Sequence, residues 1–383
     1  MFSETASQGW FSRLGGSLKN ILFGLLLLIA AAILLFWNEG RAVKTWKALK
    51  EGAGAIVSVP AQKLDAANEG RLVHVSGPLS YPGKLTDPAF HLSVPALRLK
   101  RKVQMLQWHE EASTTTRKKL GGGTETMTTY SYKLAWSPKL VDSSRFKQPS
   151  GHENPTAMPI EPASWVARDA RIGAFTIPAS LAASLGREEP VTLDKSNRPD
   201  ISIAGRGRMG AGDAIYFGSL FHDRPGDLRV RFFAARPAEA SIIGMQKGTG
   251  LAPYKASNGR KIFMSRPALV PAMEMFAGAE RENKLLTWLL RGLGTFMLFI
   301  AFGMILNILR VIADIVPVFG SVVGAGATVI SALLAVALAF LVIAAAWLFF
   351  RPLLSLGLLA GALAIAWLVR ARLKKAPAVT DPA

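Results

Sequence analysis

The sequence contains no cysteine, so disulfides, thiolate metal sites and a cysteine nucleophile are excluded outright. It also lacks an Asn-x-Ser/Thr glycosylation acceptor with a non-proline centre. A translocated domain without either feature has a bacterial rather than a secretory-pathway composition. Histidine is scarce and scattered: His74, His91, His109, His152 and His222 show no ligand spacing such as H-x-x-x-H. No Ser/His/Asp order suggests a nucleophile. The one local His/carboxylate cluster, His109, Glu110 and Glu111, lacks the second histidine of a zinc helix and is expected to be a solvated strand end.

Apolar residues make up 50% of the 383, and they concentrate at the two ends of the chain. A membrane span needs about 20 largely apolar residues. Residues 18–37, LKNILFGLLLLIAAAILLFW, meet that requirement with no charge after Lys19. The run ends in Phe36 and Trp37 rather than in a small-x-small cleavage site, and so predicts an uncleaved anchor. Further spans are expected at 285–309, 329–350 and 352–369, with Arg351 and Pro352 as the turn between the last two. The stretch entering the second span, with Met273, Phe276 and Ala279 at helical spacing, is expected to lie along the membrane surface. Between spans, 310–328 reads as a short loop or re-entrant segment. Trp10, Trp37, Trp46, Trp288, Trp347 and Trp367 fall at or near span ends, as in an aromatic belt.

The central segment, 38–284, alternates β-branched and aromatic residues with Gly/Pro turns, as in RLVHVSG, ALRLKRKVQMLQW, TYSYKLAW and DLRVRFFAA. It predicts a mostly-β domain, with the Gly-rich stretch 114–129 as a flexible loop. The spacing of the strands after Gly70 and Leu97 is loosely similar to that after Gly212 and Leu228, which suggests a duplication. The fold class is thus a multi-pass α-helical membrane protein, one N-terminal and about three C-terminal helices, with a large mostly-β domain inserted between them. Residues 1–17 and the basic tail 370–383, which carries Arg370, Arg372, Lys374 and Lys375, are expected in the cytoplasm, and 38–284 across the membrane.

The net charge is +19, and 38–284 holds 36 Lys plus Arg against 23 Asp plus Glu. For a domain tethered to a bilayer at both ends, anionic lipid is the nearer partner than nucleic acid. Arg98, Lys100, Arg101 and Lys102 are the candidate headgroup contacts; a nucleic-acid site would interleave aromatics, and only Trp108 is near. Gly205 to Gly210 fits G-x-G-x-x-G, but the strand-like residues after it point to a hairpin rather than a dinucleotide site. Gly320/Gly324 and Gly357/Gly361 are G-x-x-x-G pairs, which pack helices within one chain or between copies. Asp314 and Asn307 are polar groups near membrane depth.

Several segments resemble the LUMA family, also called transmembrane protein 43. They are FWNEGRAV at 36–43, EGRLVHVSG at 69–77, QWHE at 107–110, GDLRVR at 226–231, DIVPVFG at 314–320 and AWLFFRP at 346–352. The resemblance covers nearly the whole chain and includes no catalytic signature. It implies a membrane protein with its large loop in the lumen, which in animals lies in the endoplasmic reticulum and inner nuclear membrane, self-associates and binds other membrane proteins. Composition points to a bacterial inner membrane with the large domain periplasmic as the expectation, with the endoplasmic reticulum or inner nuclear membrane as the alternative for a eukaryotic chain. The resulting expectation is a non-enzymatic, cofactor-free, metal-free membrane organiser or scaffold that forms homo-oligomers and touches lipid. A transporter or channel component using Asp314 and Asn307, and a membrane-bound hydrolase using His109 and Glu111, are the alternatives.

Overall fold

The computed structural model describes residues 2–367 apart from 195–196, 198, 203–206, 211, 220–222, 354, 358–359, 361–363 and 365–366. The expected fourth span at 352–369 falls largely, and the tail at 370–383 wholly, outside the described residues. The chain divides into two compact units. One holds residues 1–6, 48–117 and 126–279; the other holds 7–47, 118–125 and 280–383.

The first unit is built of strands. Its principal elements are β1 (Phe2–Gln8), β2 (Leu72–Ser80), β3 (Arg98–Lys118), β4 (Thr124–Ser137), β5 (Ala214–Phe217), β6 (Leu228–Ala235) and β7 (Glu239–Lys247). One sheet runs β1-β4-β3-β6-β5 and ends on the short strand Arg208–Gly210. β3 and β6 pair antiparallel from Met105 opposite Leu228 to Arg98 opposite Ala235. Successive side chains on a strand point to opposite faces, so Leu99, Val103 and Met105 enter the core with Phe90, Ile215, Val230 and Phe232. Arg98, Lys100 and Lys102 take the other face.

The second sheet closes on itself. β7 pairs with β2 along one edge and with Gly250–Ala252 along the other, and the short strands Phe175–Thr176 and Arg171–Ile172 complete the ring back to β2. Closure removes free edges, and Val73, Val75, Ile172, Phe175, Ile242 and Leu251 fill the interior. Gly173 makes the turn between two ring strands at a φ of +56°, where an added Cβ would sit 2.2 Å from the carbonyl oxygen of Ala61. Only glycine fits there. β2 lies in the ring while β3 lies in the other sheet, and β5 and β6 are neighbours in one sheet. The suggested duplication therefore has no counterpart in strand arrangement.

The second unit is helical. Among the described residues three helices are long and apolar enough to cross a membrane: α1 (Trp10–Ala55), α2 (Ala272–Ala313) and α3 (Pro317–Phe350). At 1.5 Å per residue α1 is about 69 Å long, more than twice the hydrocarbon thickness. Its last turns, with Ala48 and Leu49, and the first turns of α2, with Met275 and Phe276, join the core of the strand unit. The lead-in at 273–284 is thus the uninterrupted beginning of α2 rather than a separate surface helix. Ala272, Met275, Phe276 and Ala279 pack into the strand core, whereas Met273 is exposed. The connection from α2 to α3 is the short turn 314–316, because Pro317 starts a helix at its first position. Most of the segment 310–328, expected from sequence to be a short loop or re-entrant segment, is therefore helical, and the span at 329–350 is the second half of α3.

Small residues set the helix separations. A Cβ at Gly24 would lie 2.9 Å from the Ala301 carbonyl oxygen, and one at Gly294 would lie 2.6 Å from the Leu35 side chain. Ala31, Leu35, Leu298, Ala335 and Ala339 close the apolar interior.

Candidate functional site

Among the described residues of the helical unit, two carboxylates are fully buried. Glu39 lies on α1 two residues past the apolar run, and its oxygens accept from Arg291 of α2, Nε at 2.6 Å and Nη2 at 2.9 Å. Trp347 of α3 donates its Nε1 to the same carboxylate at 2.8 Å. One side chain thereby joins three helices. A buried charge is tolerated only when paired and hydrogen-bonded, and three donors meet that condition. Beside it, Asn38 donates to the Thr287 carbonyl, Arg41 donates to Asn283 Oδ1 and Thr287 Oγ1, and Asn283 donates back to the Ala42 carbonyl. Asn283, Thr287 and Arg291 stand four residues apart, so they form one stripe on α2. Arg291 also lies 4.7 Å from the Trp288 ring centroid, a cation–π distance.

Asp314 forms the other centre, in the turn between α2 and α3. It accepts from Arg13 Nη2 of α1 at 2.6 Å and from Lys118 Nζ at 2.5 Å. Burial pushes its carboxyl up, but the hydrogen bonds from Lys118 and Arg13 outweigh burial and hold it below the usual aspartate range. Lys118 belongs to the β3–β4 hairpin tip, residues 118–125, which lies in the helical unit. The tip is fastened further: the Gly121 N–H donates to the Ile315 carbonyl, and Arg13 donates to the Gly122 carbonyl. Trp10 Nε1 donates to the Val311 carbonyl at 2.8 Å. From sequence alone, Lys118 is expected in a flexible loop of the extracytoplasmic domain and Arg13 in the cytoplasmic segment. The structure brings the two onto one carboxylate, because the 21-residue strand β3 carries the tip out of the strand unit.

The residues singled out from sequence are distributed differently. Arg101 is buried, with Nη1 2.7 Å from Asp87 and its guanidinium between Phe90 and Trp165, so it is no headgroup contact. Alternation explains why: it points to the core while Arg98, Lys100 and Lys102 face outward. Those three converge on Glu188 at 3.5, 3.4 and 2.9 Å. One carboxylate against three cations leaves this face basic.

Gly320 and Gly324 serve contacts within the chain, against Asp314 and the Arg310 side chain. A Cβ at Gly357 would meet nothing within 4 Å, and Gly361 lies outside the described residues. Asn307 is half-buried on α2. His109, Glu110 and Glu111 lie in the middle of β3 rather than at a strand end. Glu110 accepts from the Tyr132 hydroxyl and the Lys147 N–H, and Glu111 pairs with Lys133. Past Gly210 the chain forms β5 and no helix opens, so the pyrophosphate cradle of a dinucleotide site is lacking there; Gly205 and His222 are outside the described residues. Among the described residues no three or more His, Cys, Asp or Glu side chains gather as a metal site.

The sequence model of transmembrane protein 43 matches residues 105–352. The chain is 32% identical to rat transmembrane protein 43 over 95% of its own length and 92% of the relative's. The chain belongs to the transmembrane protein 43 family. Human transmembrane protein 43 is also 32% identical, over 96% of this chain and 93% of its own, and the Drosophila melanogaster homolog is 34% identical over 80% and 78%. No solved structure matches. Three of the segments that carry the transmembrane protein 43 resemblance supply the two polar centres. FWNEGRAV provides Asn38, Glu39 and Arg41; DIVPVFG provides Asp314 and Gly320; AWLFFRP provides Trp347. Arg291, Thr287, Asn283 and Lys118 were not foreseen. An arginine inside the apolar run LTWLLRGLGTF was the available sign, since such a charge needs a partner.

Proposed function

We propose that this transmembrane protein 43 family member is a non-enzymatic membrane organiser. It self-associates through its helices and presents the basic face of its strand domain to anionic headgroups, with that domain periplasmic in a bacterial inner membrane. The observation that carries the reading is how its polar and apolar groups are placed. The buried carboxylates Glu39 and Asp314 are each held by two or three donors, so neither is left open for proton or ion transfer. The outward helix faces are apolar, and added Cβ atoms at Gly303, Gly326 and Gly357 would meet nothing. In lipid, helices associate where small residues let backbones approach, and these glycines supply such positions. Lys100 and Lys102, 41% and 45% exposed, support the headgroup role.

Size analysis of the purified protein in mild detergent, with mass photometry over a range of concentrations, tests the reading. Oligomers weakened by Gly326→Leu or Gly357→Leu are expected. A wild-type chain that remains monomeric across detergents and concentrations would sink it.

A further inference from the structure

The helical unit holds two adjoining cavities that share Trp288, Arg291 and Trp347 in their walls. The first, about 730 Å³, lies between α2 and α3 and is lined by apolar side chains such as Phe296, Phe299, Val336, Phe340 and Ile343. The second, about 870 Å³, is walled by α1, α2, the last turn of α3 and the residues following it, and among its lining groups are Lys47, Lys284, Arg351 and Glu280. Both volumes fall in the range of small-molecule sites, about 300–1,000 Å³.

The charges at the second cavity are not internally matched. Among the described residues Lys47, Lys284 and Arg351 form no ion pair with a carboxylate. Arg291 is already paired with Glu39. Glu280 is the one acidic group in the wall, so the cavity carries an excess of two positive charges. Trp46, Trp288 and Trp347 stand in the same wall, and tryptophans mark the headgroup level of a bilayer. From Arg291 to Phe299 the wall descends eight residues of helix, about 12 Å, into acyl-chain depth. A cationic, aromatic mouth at headgroup depth that opens onto an apolar groove below it matches one amphiphile with an anionic head.

We infer that this composite cavity binds a single anionic phospholipid from the surrounding bilayer. The anionic phosphate contacts Lys47, Lys284 and Arg351, and an acyl chain fills the groove between α2 and α3. The site involves one copy of the chain and does not depend on self-association.

Native mass spectrometry of the full-length protein, released from detergent containing equal phosphatidylglycerol and phosphatidylcholine, tests this. One phosphatidylglycerol should be retained with a preference of about thirtyfold or more, the scale expected for two or three basic side chains at about 1 kcal/mol each. The combined substitutions Lys47→Gln, Lys284→Gln and Arg351→Gln should abolish the preference, whereas Lys100→Gln with Lys102→Gln on the strand domain should leave it intact. Equal retention of the two lipids by wild type, or an unchanged preference in the triple variant, would overturn the site. Should the triple variant not fold, wild-type protein is irradiated with phosphatidylglycerol carrying a diazirine near its acyl terminus. Cross-links at 296–299 and 336–343 are expected, and cross-links spread evenly over the outer faces of α1 and α3 would overturn it.

Discussion

Glu39 and Arg291 form a two-pronged ion pair between α1 and α2, at 2.6 and 2.9 Å, in which the carboxylate has no exposure at all. Removing one partner of a buried pair leaves the other charged and unmatched, which costs about 3–5 kcal/mol. Glu39→Gln is therefore expected to lower the thermal midpoint of the detergent-solubilised protein sharply. Arg291→Met in the same chain should restore part of the loss, because apolar replacement of both partners is often neutral. Strictly additive effects of the two substitutions in a thermal-unfolding series would show that the pair does not act as a unit.

Asp314 holds the hairpin tip through Lys118, and the tip carries two adjacent trypsin sites, at Lys118 and Lys119. Asp314→Asn weakens two charge-assisted bonds at once, each worth about 1.5–3 kcal/mol. Limited proteolysis should then cut after Lys118 or Lys119 at least tenfold faster, roughly the effect of 1.4 kcal/mol on local opening. An unchanged cleavage rate would show that the tip is held by other contacts.

The same cluster sets a condition on sidedness. Gly9→Cys, beside α1, and Leu120→Cys, at the hairpin tip, should both react with an impermeant maleimide from the same side of the membrane in this cysteine-free chain. Labelling of Ser150→Cys in intact spheroplasts then reports separately on the strand domain. Opposite sidedness for positions 9 and 120 would mean that Arg13 and Lys118 do not meet on Asp314 in the bilayer.

His74 is buried in the ring of strands, with Nε2 3.0 Å from the Val270 carbonyl oxygen. Burial holds its pKa below the ordinary 6.5, and the carbonyl opposes that shift without overcoming it. The fold thus favours the neutral ring. Its contribution to stability is complete above about pH 6.5 and is lost as pH falls from there through the lower folded-state value. Thermal midpoints measured from pH 7.5 to 5 should fall more steeply for wild type than for His74→Gln. Parallel pH profiles would remove His74 as the cause.

Gly24 meets the Ala301 backbone and the Ile305 side chain, whereas Gly303 faces open space. Gly24→Val should cost about 1–3 kcal/mol through overpacking against a backbone that cannot retreat. Gly303→Val should leave thermal stability unchanged. Equal tolerance at the two positions, read by thermal shift in detergent, would mean that α1 and α2 do not pack at Gly24 in the solubilised protein.

Hydrophobic runs and strand alternation were enough to place the apolar helices at 18–37 and 285–309 and a mostly-β domain between them. Both signals are local and one-dimensional. The family was legible too, in FWNEGRAV, DIVPVFG and AWLFFRP. Pairing across distance was not legible. Nothing in the order of residues says that Glu39 meets Arg291, 252 positions later, or that Lys118 reaches a carboxylate at 314. Alternation along β3 could have separated Arg101 from Arg98, Lys100 and Lys102, but only the register with β6 determines which face is the core. Glycine spacing likewise marked Gly320 and Gly324 while missing Gly24 and Gly294, since close approach depends on which helix lies opposite. Hydrophobicity and alternation in the sequence thus determined the elements and their membrane character. The partners of the buried charges and of the small residues were decided by tertiary structure, because in a low-dielectric interior a charge is stable only where a second element brings its counterpart within about 3 Å.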